Sequence, residues 1–201
     1  MARCGPYTDV DHGVVKSAKE AQVDLVERIG DDGRSCLIAE RRAIERMSTY
    51  GKKLLQDRWT GTEHEVMSKL WHAGVSVPYP IAFVDDVFDL EYVGSWEMAA
   101  AQLSAARLTP SQLADAFEQL LVGLRAITAT GFAHGDLSAY NLLWWEERLW
   151  FIDFPQSIDI AADLPGFDFL HCDVLNVVDW FERRGLDVDA EEGFADLLSF
   201  L

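Results

Sequence analysis

The chain has 201 residues, 49% of them hydrophobic and 25% charged, which argues against a disordered chain and allows one large domain or two small lobes. Three scattered cysteines, Cys4, Cys36 and Cys172, argue against a disulfide framework or a zinc site, and no run approaches the roughly 20 apolar residues of a membrane span; with no apolar leader region either, a reducing cytoplasm is the expected compartment. The net charge of −17 is lopsided, with 12 Lys+Arg and 12 Asp+Glu in residues 1–70 but 5 and 22 in residues 71–201; this disfavours direct nucleic-acid binding and leaves two readings, attraction of a basic protein or peptide and plain solubility.

Residues 13–39 read as short strands. "GVVKSA" and "QVDLVERI" cluster β-branched residues, and "GDDG" at 30–33 forms a turn before "SCLIA", which predicts a small antiparallel sheet. From about Ala43 to Ala73 the period becomes helical, carried by Ile44, Met47, Leu54, Trp59, Val66, Met67 and Leu70 until Gly74. "VPYPIAFV" and "VFDLEYVG" are two further strands joined at "DD". A helix then opens with Thr109 as its cap and Pro110 in its first turn, with one apolar stripe from Leu113 to Ile127. Beyond "HGDLSAYNLL" (134–143), "LLWW", "EER" and "LWFID" predict a hairpin, and "FDFLHCDVLNVVDWFERRG" another amphipathic helix. A strand-rich half thus precedes a helix-rich half, an order that suits two lobes with a cleft, connected by "EYVGS".

The chemistry concentrates in the decapeptide and its hairpin. A turn centred at Glu147 sets Leu142 opposite Ile152 and Asn141 opposite Asp153, and opposed residues about 4.5–5.5 Å apart share a face. An amide oxygen and a carboxylate converging there would suit magnesium. Asp136, five residues before Asn141, is placed to orient a hydroxyl, while positioning and charge neutralisation are most of what phosphoryl transfer asks of a protein. His134 is read as a brace for the loop. Trp144, Trp145 and Trp150 are read as packing residues, and His171 and Cys172 as packed or surface groups.

These segments resemble the RIO-type atypical serine/threonine protein kinases. "HGDLSAYNLL" followed by "WFIDFPQSID" is similar to that family's H-x-D-L-S-x-Y-N loop and I-D-x-x-Q strand end, with Ser138 where ordinary protein kinases carry lysine and Gln156 where they carry glycine. "KSAKEAQV" resembles the family's phosphate-covering S-x-G-K-E-A-x-V, with Ser17 and Lys19 matching and Ala18 in place of glycine. "WTGTEHEVMSKLWHAGVSVPYPI" resembles the helix that carries the family's glutamate, here Glu63, and "LEYVG" the hinge that holds adenine through the backbone of Glu91 and Val93. The resemblance implies an α+β, bilobal protein-kinase-like fold: a small β-rich N-lobe over residues 1–93 and a shortened, mainly helical C-lobe over 94–201. It implies ATP and Mg2+ as cofactors, Asp136 as catalytic base or hydroxyl orienter, Asn141 and Asp153 as metal ligands, and an aspartyl-phosphate as an optional intermediate on Asp153.

One departure matters. The family's third strand carries a lysine that contacts the ATP phosphates and pairs with the helix glutamate, whereas "CLIAERRAIERMSTYGKK" brings Arg41 to that register. Either Arg41 substitutes as the cation or the lysine is lost, with Lys16 and Lys19 as further sources of charge; arginine differs from lysine in reach and fork geometry. Two alternatives therefore accompany a RIO-like kinase or ATPase: a small-molecule kinase of the aminoglycoside-phosphotransferase type, and a nucleotide-binding pseudokinase scaffold.

Overall fold

Among the described residues, strands dominate up to Glu91 and helices the part after it. The computed structural model describes residues 7–17, 21–43, 63–85, 87–154, 157–161 and 165–201. It forms two compact units, one of Met1–His64 with Tyr79–Ala99 and one of Glu65–Pro78 with Ala100–Leu201.

The first unit is built on β1 (Tyr7–Ser17), β2 (Ala21–Gly30), β3 (Ser35–Ala43), β4 (Pro80–Val84) and β5 (Val87–Glu91), ordered β1-β2-β3-β5-β4 with every pair antiparallel. The predicted "GDDG" turn joins β2 to β3, with Gly33 N–H donating to the Gly30 carbonyl at 3.0 Å. Two boundaries differ from the expectation. β1 starts at Tyr7 rather than near residue 13, because the polar stretch "YTDVDH" pairs with β2 from Tyr7↔Gly30 onward. β3 runs through Ala43, where a helix was expected to begin: "AERRA" lacks β-branched residues but is paired on both sides, Arg41 with Val23 of β2 and with Phe88 of β5, and pairing overrides propensity. The expected helical residues Ile44, Met47, Leu54 and Trp59 lie outside the described residues. Val26, Ile38 and Phe88 are the buried centre of the sheet.

A helix is described over 63–72 (α1), and Gly74, at φ 83°, closes it as predicted. The second unit continues with β6 (Ala101–Gln102), α2 (Pro110–Ala129), β7 (Phe132–Ala133), β8 (Leu142–Trp145), β9 (Arg148–Phe151), β10 (Ile158–Asp159), α3 (Gly166–Glu182) and α4 (Ala190–Leu197). The cap of α2 forms a full capping box: Thr109 Oγ1 accepts from Gln112 N–H at 3.3 Å and Gln112 Oε1 from Thr109 N–H at 3.1 Å. Its buried face, Leu113, Leu120, Leu124 and Ile127, shares a core with Leu142 and Phe151 of the hairpin and Leu170, Val174 and Phe181 of α3. α2 approaches β9 closely enough that a Cβ on Gly123 would lie 2.3 Å from the Phe151 ring. Among the described residues no helix is long and apolar enough to cross a membrane.

The hairpin departs from its expected register. The pairs are Leu142↔Phe151, Leu143↔Trp150, Trp144↔Leu149 and Trp145↔Arg148, so a two-residue turn replaces the odd-numbered one. Glu146 and Glu147 adopt φ of 48° and 59°, the backbone of a type I′ turn, whose twist matches that of the flanking strands. Asn141 therefore sits beside Ile152, whose N–H donates to its carbonyl at 3.0 Å. The pleat alone does not put Asn141 opposite Asp153.

Candidate active site

In the second unit, α2 delivers the chain through β7 to the decapeptide, and α3 returns beneath it. His134 is 1% exposed; its Nε2 donates to the Ile152 carbonyl at 3.1 Å and its ring packs 4.4 Å from that of Phe154. It braces the loop, as expected of it. Asp173, on α3 and 2% exposed, accepts from the backbone N–H of Gly135 at 2.8 Å and of Leu137 at 2.7 Å. These charge-assisted bonds hold the two residues that flank Asp136. The carboxylate of Asp136 itself is exposed.

The end of the loop is tied down from the other side. Asn141 Nδ2 donates to the Asp136 carbonyl at 2.8 Å, with a weak 3.5 Å contact to Asp136 Oδ2. Asn141 N–H donates to the Ser138 carbonyl at 3.0 Å, and Ser104 N–H donates to the Ala139 carbonyl at 2.9 Å. Gln102 Nε2 reaches the Tyr140 carbonyl at 2.9 Å. Asp153 follows the hairpin with a left-handed backbone at φ 68°, so its direction is set by that residue's own backbone rather than by strand alternation, a costly conformation for a side-chain-bearing residue.

The electrostatics of the loop follow from burial. Desolvation pushes the His134 imidazole below its ordinary 6.5, against the pull of Asp173, the Ile152 carbonyl, Asp153 and Asp136. Burial likewise pushes the Asp173 carboxyl above its ordinary 3.8, opposed by the N–H groups of Leu137 and Gly135 and by His134. The structure thus brings together His134, Asp136, Asp153 and Asp173, with burial and the three aspartates acting on the imidazole in opposite senses. Asp173 is the residue that sequence reasoning missed. Its signal was an acid on the apolar stripe of α3, between Leu170 and Val174, where an unpaired charge would be costly.

In the first unit, the central strand β3 presents Arg41, whose Nη1 donates to Glu63 Oε1 at 2.7 Å and Oε2 at 2.9 Å. Glu63 is 3% exposed, so this ion pair is shielded on its acidic side. Glu91 closes β5, its N–H donating to the Tyr79 carbonyl at 2.9 Å and its Oε2 accepting from Tyr79 N–H at 3.0 Å. Val93 is buried at 8% exposure. Ser17 ends β1, exposed and opposite Gln22. Lys19 and Gln156 lie outside the described residues. Among the described residues no group of three or more His, Cys, Asp or Glu side chains could hold a metal.

The chain matches the RIO domain family over residues 33–193. It belongs to the RIO family. The match includes Arg41, Glu63, the 134–143 loop, Asp153 and Asp173, and begins after Ser17 and Lys19. One relative is the RIO-type serine/threonine-protein kinase Rio1 of Thermoplasma acidophilum, 28% identical over 134 residues that cover 67% of this chain and 69% of the relative. The protein of the same name from Haloferax volcanii is 34% identical over 133 residues, covering 66% of this chain and 45% of the relative. Serine/threonine-protein kinase RIO3 of Homo sapiens is 25% identical over 146 residues, 72% of this chain and 28% of the relative. The RIO chain thus spans less than half of the last two. At the third-strand position where the resemblance implies a lysine, this RIO chain has an arginine that makes the ion pair to the helix glutamate.

Proposed function

We propose that this RIO chain is an ATP- and magnesium-dependent serine/threonine-protein kinase with a bilobal protein-kinase-like fold, an N-lobe over 1–93 and a C-lobe over 94–201. The observation that carries the reading is the loop in which buried Asp173 and His134 hold the backbone while leaving the Asp136 carboxylate exposed. An exposed carboxylate on a fixed backbone suits orientation of an incoming serine or threonine hydroxyl and acceptance of its proton. Arg41, oriented by Glu63, is assigned to the ATP phosphates with Ser17 and Lys19, and the Glu91 carbonyl and Val93 N–H to adenine. The N–H of Glu91 is already used by Tyr79, which suits a hinge that offers its carbonyl.

The donor chemistry fits magnesium. Asn141 commits its Nδ2 to the Asp136 carbonyl, so the amide oxygen is its remaining donor atom, and Asp153 supplies a carboxylate. Both are hard oxygen donors, and two protein ligands suffice for an ion that takes the rest from water and phosphate. Bound there, magnesium would neutralise phosphate charge. A basic protein or peptide substrate, a cytoplasmic location, and no role for membrane or nucleic acid complete the proposal.

The test is phosphate release and self-labelling from γ-labelled ATP with magnesium. Turnover lost in both Asp136→Ala and Asp153→Ala is the expected result. ATP binding without turnover in the wild type would replace the kinase reading by the pseudokinase scaffold, and transfer to sugars or amino alcohols but to no protein would replace it by the small-molecule kinase.

A further inference from the structure

Tyr140 combines a hydrogen-bonded backbone with an exposed side chain. Its carbonyl accepts from Gln102 Nε2 at 2.9 Å, and its two neighbours are held by Ser104 N–H on Ala139 and by the Asn141 N–H on Ser138. Ala139 beside it is 3% exposed, yet the Tyr140 ring is 65% exposed. An isolated exposed aromatic is ordinary. Here the loop spends several hydrogen bonds to present one, four residues after Asp136 and adjacent to Asn141. The electrostatic setting is one-sided: no lysine follows Lys69, and residues 71–201 hold 5 Lys+Arg against 22 Asp+Glu. With the exposed carboxylate of Asp136 in the same loop, a cation here is attracted by charge and can meet the face of an aromatic ring, which attracts guanidinium and ammonium groups through its quadrupole.

We propose that Tyr140 is a specificity-determining residue, a platform for an arginine or lysine side chain flanking the phosphoacceptor of a basic protein substrate. The proposal deepens the kinase reading and rests on it for the phosphoacceptor, but the recognition step is a binding event that can be measured apart from turnover. The hydroxyl of Tyr140 has no part in it, so phenylalanine should serve as well as tyrosine, and removal of the ring should weaken only substrates that carry the flanking cation.

The experiment uses two labelled serine peptides of equal length, one with arginines flanking the serine and one with alanines, against the wild-type protein, Tyr140→Phe and Tyr140→Ala. Affinity is read by fluorescence anisotropy, and phosphate transfer from γ-labelled ATP is followed in parallel. Expected is tighter binding of the arginine peptide by the wild type and by Tyr140→Phe, and a loss of about two- to fivefold in Tyr140→Ala, the range for an exposed cation–π contact. In transfer assays the loss should fall on KM for the arginine peptide, with the alanine peptide unmoved. Equal affinity of the wild type for the two peptides overturns the proposal, as does an equal effect of Tyr140→Ala on both. Ring-dependent binding of the arginine peptide with no phosphate transfer sustains the platform and defeats the kinase reading; transfer without arginine preference does the reverse.

Discussion

Replacing Asp173 by alanine removes the acceptor that holds Gly135 N–H and Leu137 N–H at 2.8 and 2.7 Å. Leu137 is fully buried, while Gly135 is half-buried. Each buried donor left unpaired costs about 1–3 kcal/mol, and water reaching Gly135 trims the second. The variant also escapes the cost of burying a carboxylate, which is what raises the Asp173 pKa. The net expected destabilisation is about 2–4 kcal/mol, a fall in Tm of roughly 4–16 °C at about 2–4 °C per kcal/mol for a chain of this size. Because the freed residues flank Asp136, kcat for phosphate transfer should fall at least tenfold, the change produced by about 1.4 kcal/mol of lost transition-state positioning. Asp173→Asn, which keeps one acceptor oxygen, should fall between the variant and the wild type in both measurements. Urea unfolding and initial rates on the three proteins decide the matter. Wild-type stability and rate in Asp173→Ala would refute the claim that this carboxylate organises the loop.

Arg41→Ala should lower kcat/KM for ATP by about ten- to hundredfold, the value of a charge-assisted contact of about 1.5–3 kcal/mol; an unchanged value in steady-state assays would remove Arg41 from the phosphate site. Stability should depend on pH through His134. Its folded pKa lies below the ordinary 6.5, so the unfolded chain binds more protons in that window, and stability present above about pH 6.5 is lost as pH falls below it. The raised pKa of Asp173 acts in the opposite sense from 3.8 upward, so the comparison is of thermal melts from pH 7.5 to 5.5 for wild type and His134→Phe, with the flatter profile expected in the variant. Gly123→Ala places a methyl 2.3 Å from the Phe151 ring and should cost about 1–3 kcal/mol in chemical denaturation. Changing Glu146-Glu147 to Asn-Gly relieves two left-handed residues and should stabilise the fold by about 1 kcal/mol in the same assay.

How much of the site was legible depended on whether local chemistry or distant packing decided it. The cap at Thr109 and the glycine stop at Gly74 are short-range effects, and the structure has them where the pattern predicts; that Gln112 completes a capping box was added by the structure. The "HGDLSAYNLL" loop was legible because its residue types at fixed spacing are themselves the signature. The hairpin register was not, since Glu-Glu is a poor match for a type I′ turn and only the packing of Phe151 against Gly123 and the ladder from Leu142 to Trp145 settle it.

The sequence by itself determined a globular-type composition, a sheet-rich first part and helical second part, and a loop with Asp136 and Asn141 five residues apart. Hydrophobic period, caps and turn residues act within a few positions of one another, so a linear reading captures them. Only the tertiary structure decided that α3 lends Asp173 to Gly135 and Leu137 across 38 and 36 residues, and that Arg41 meets Glu63 across 22. Such partners are chosen by the cost of burying a charge or an N–H alone, and that cost exists only once the chain has folded around it.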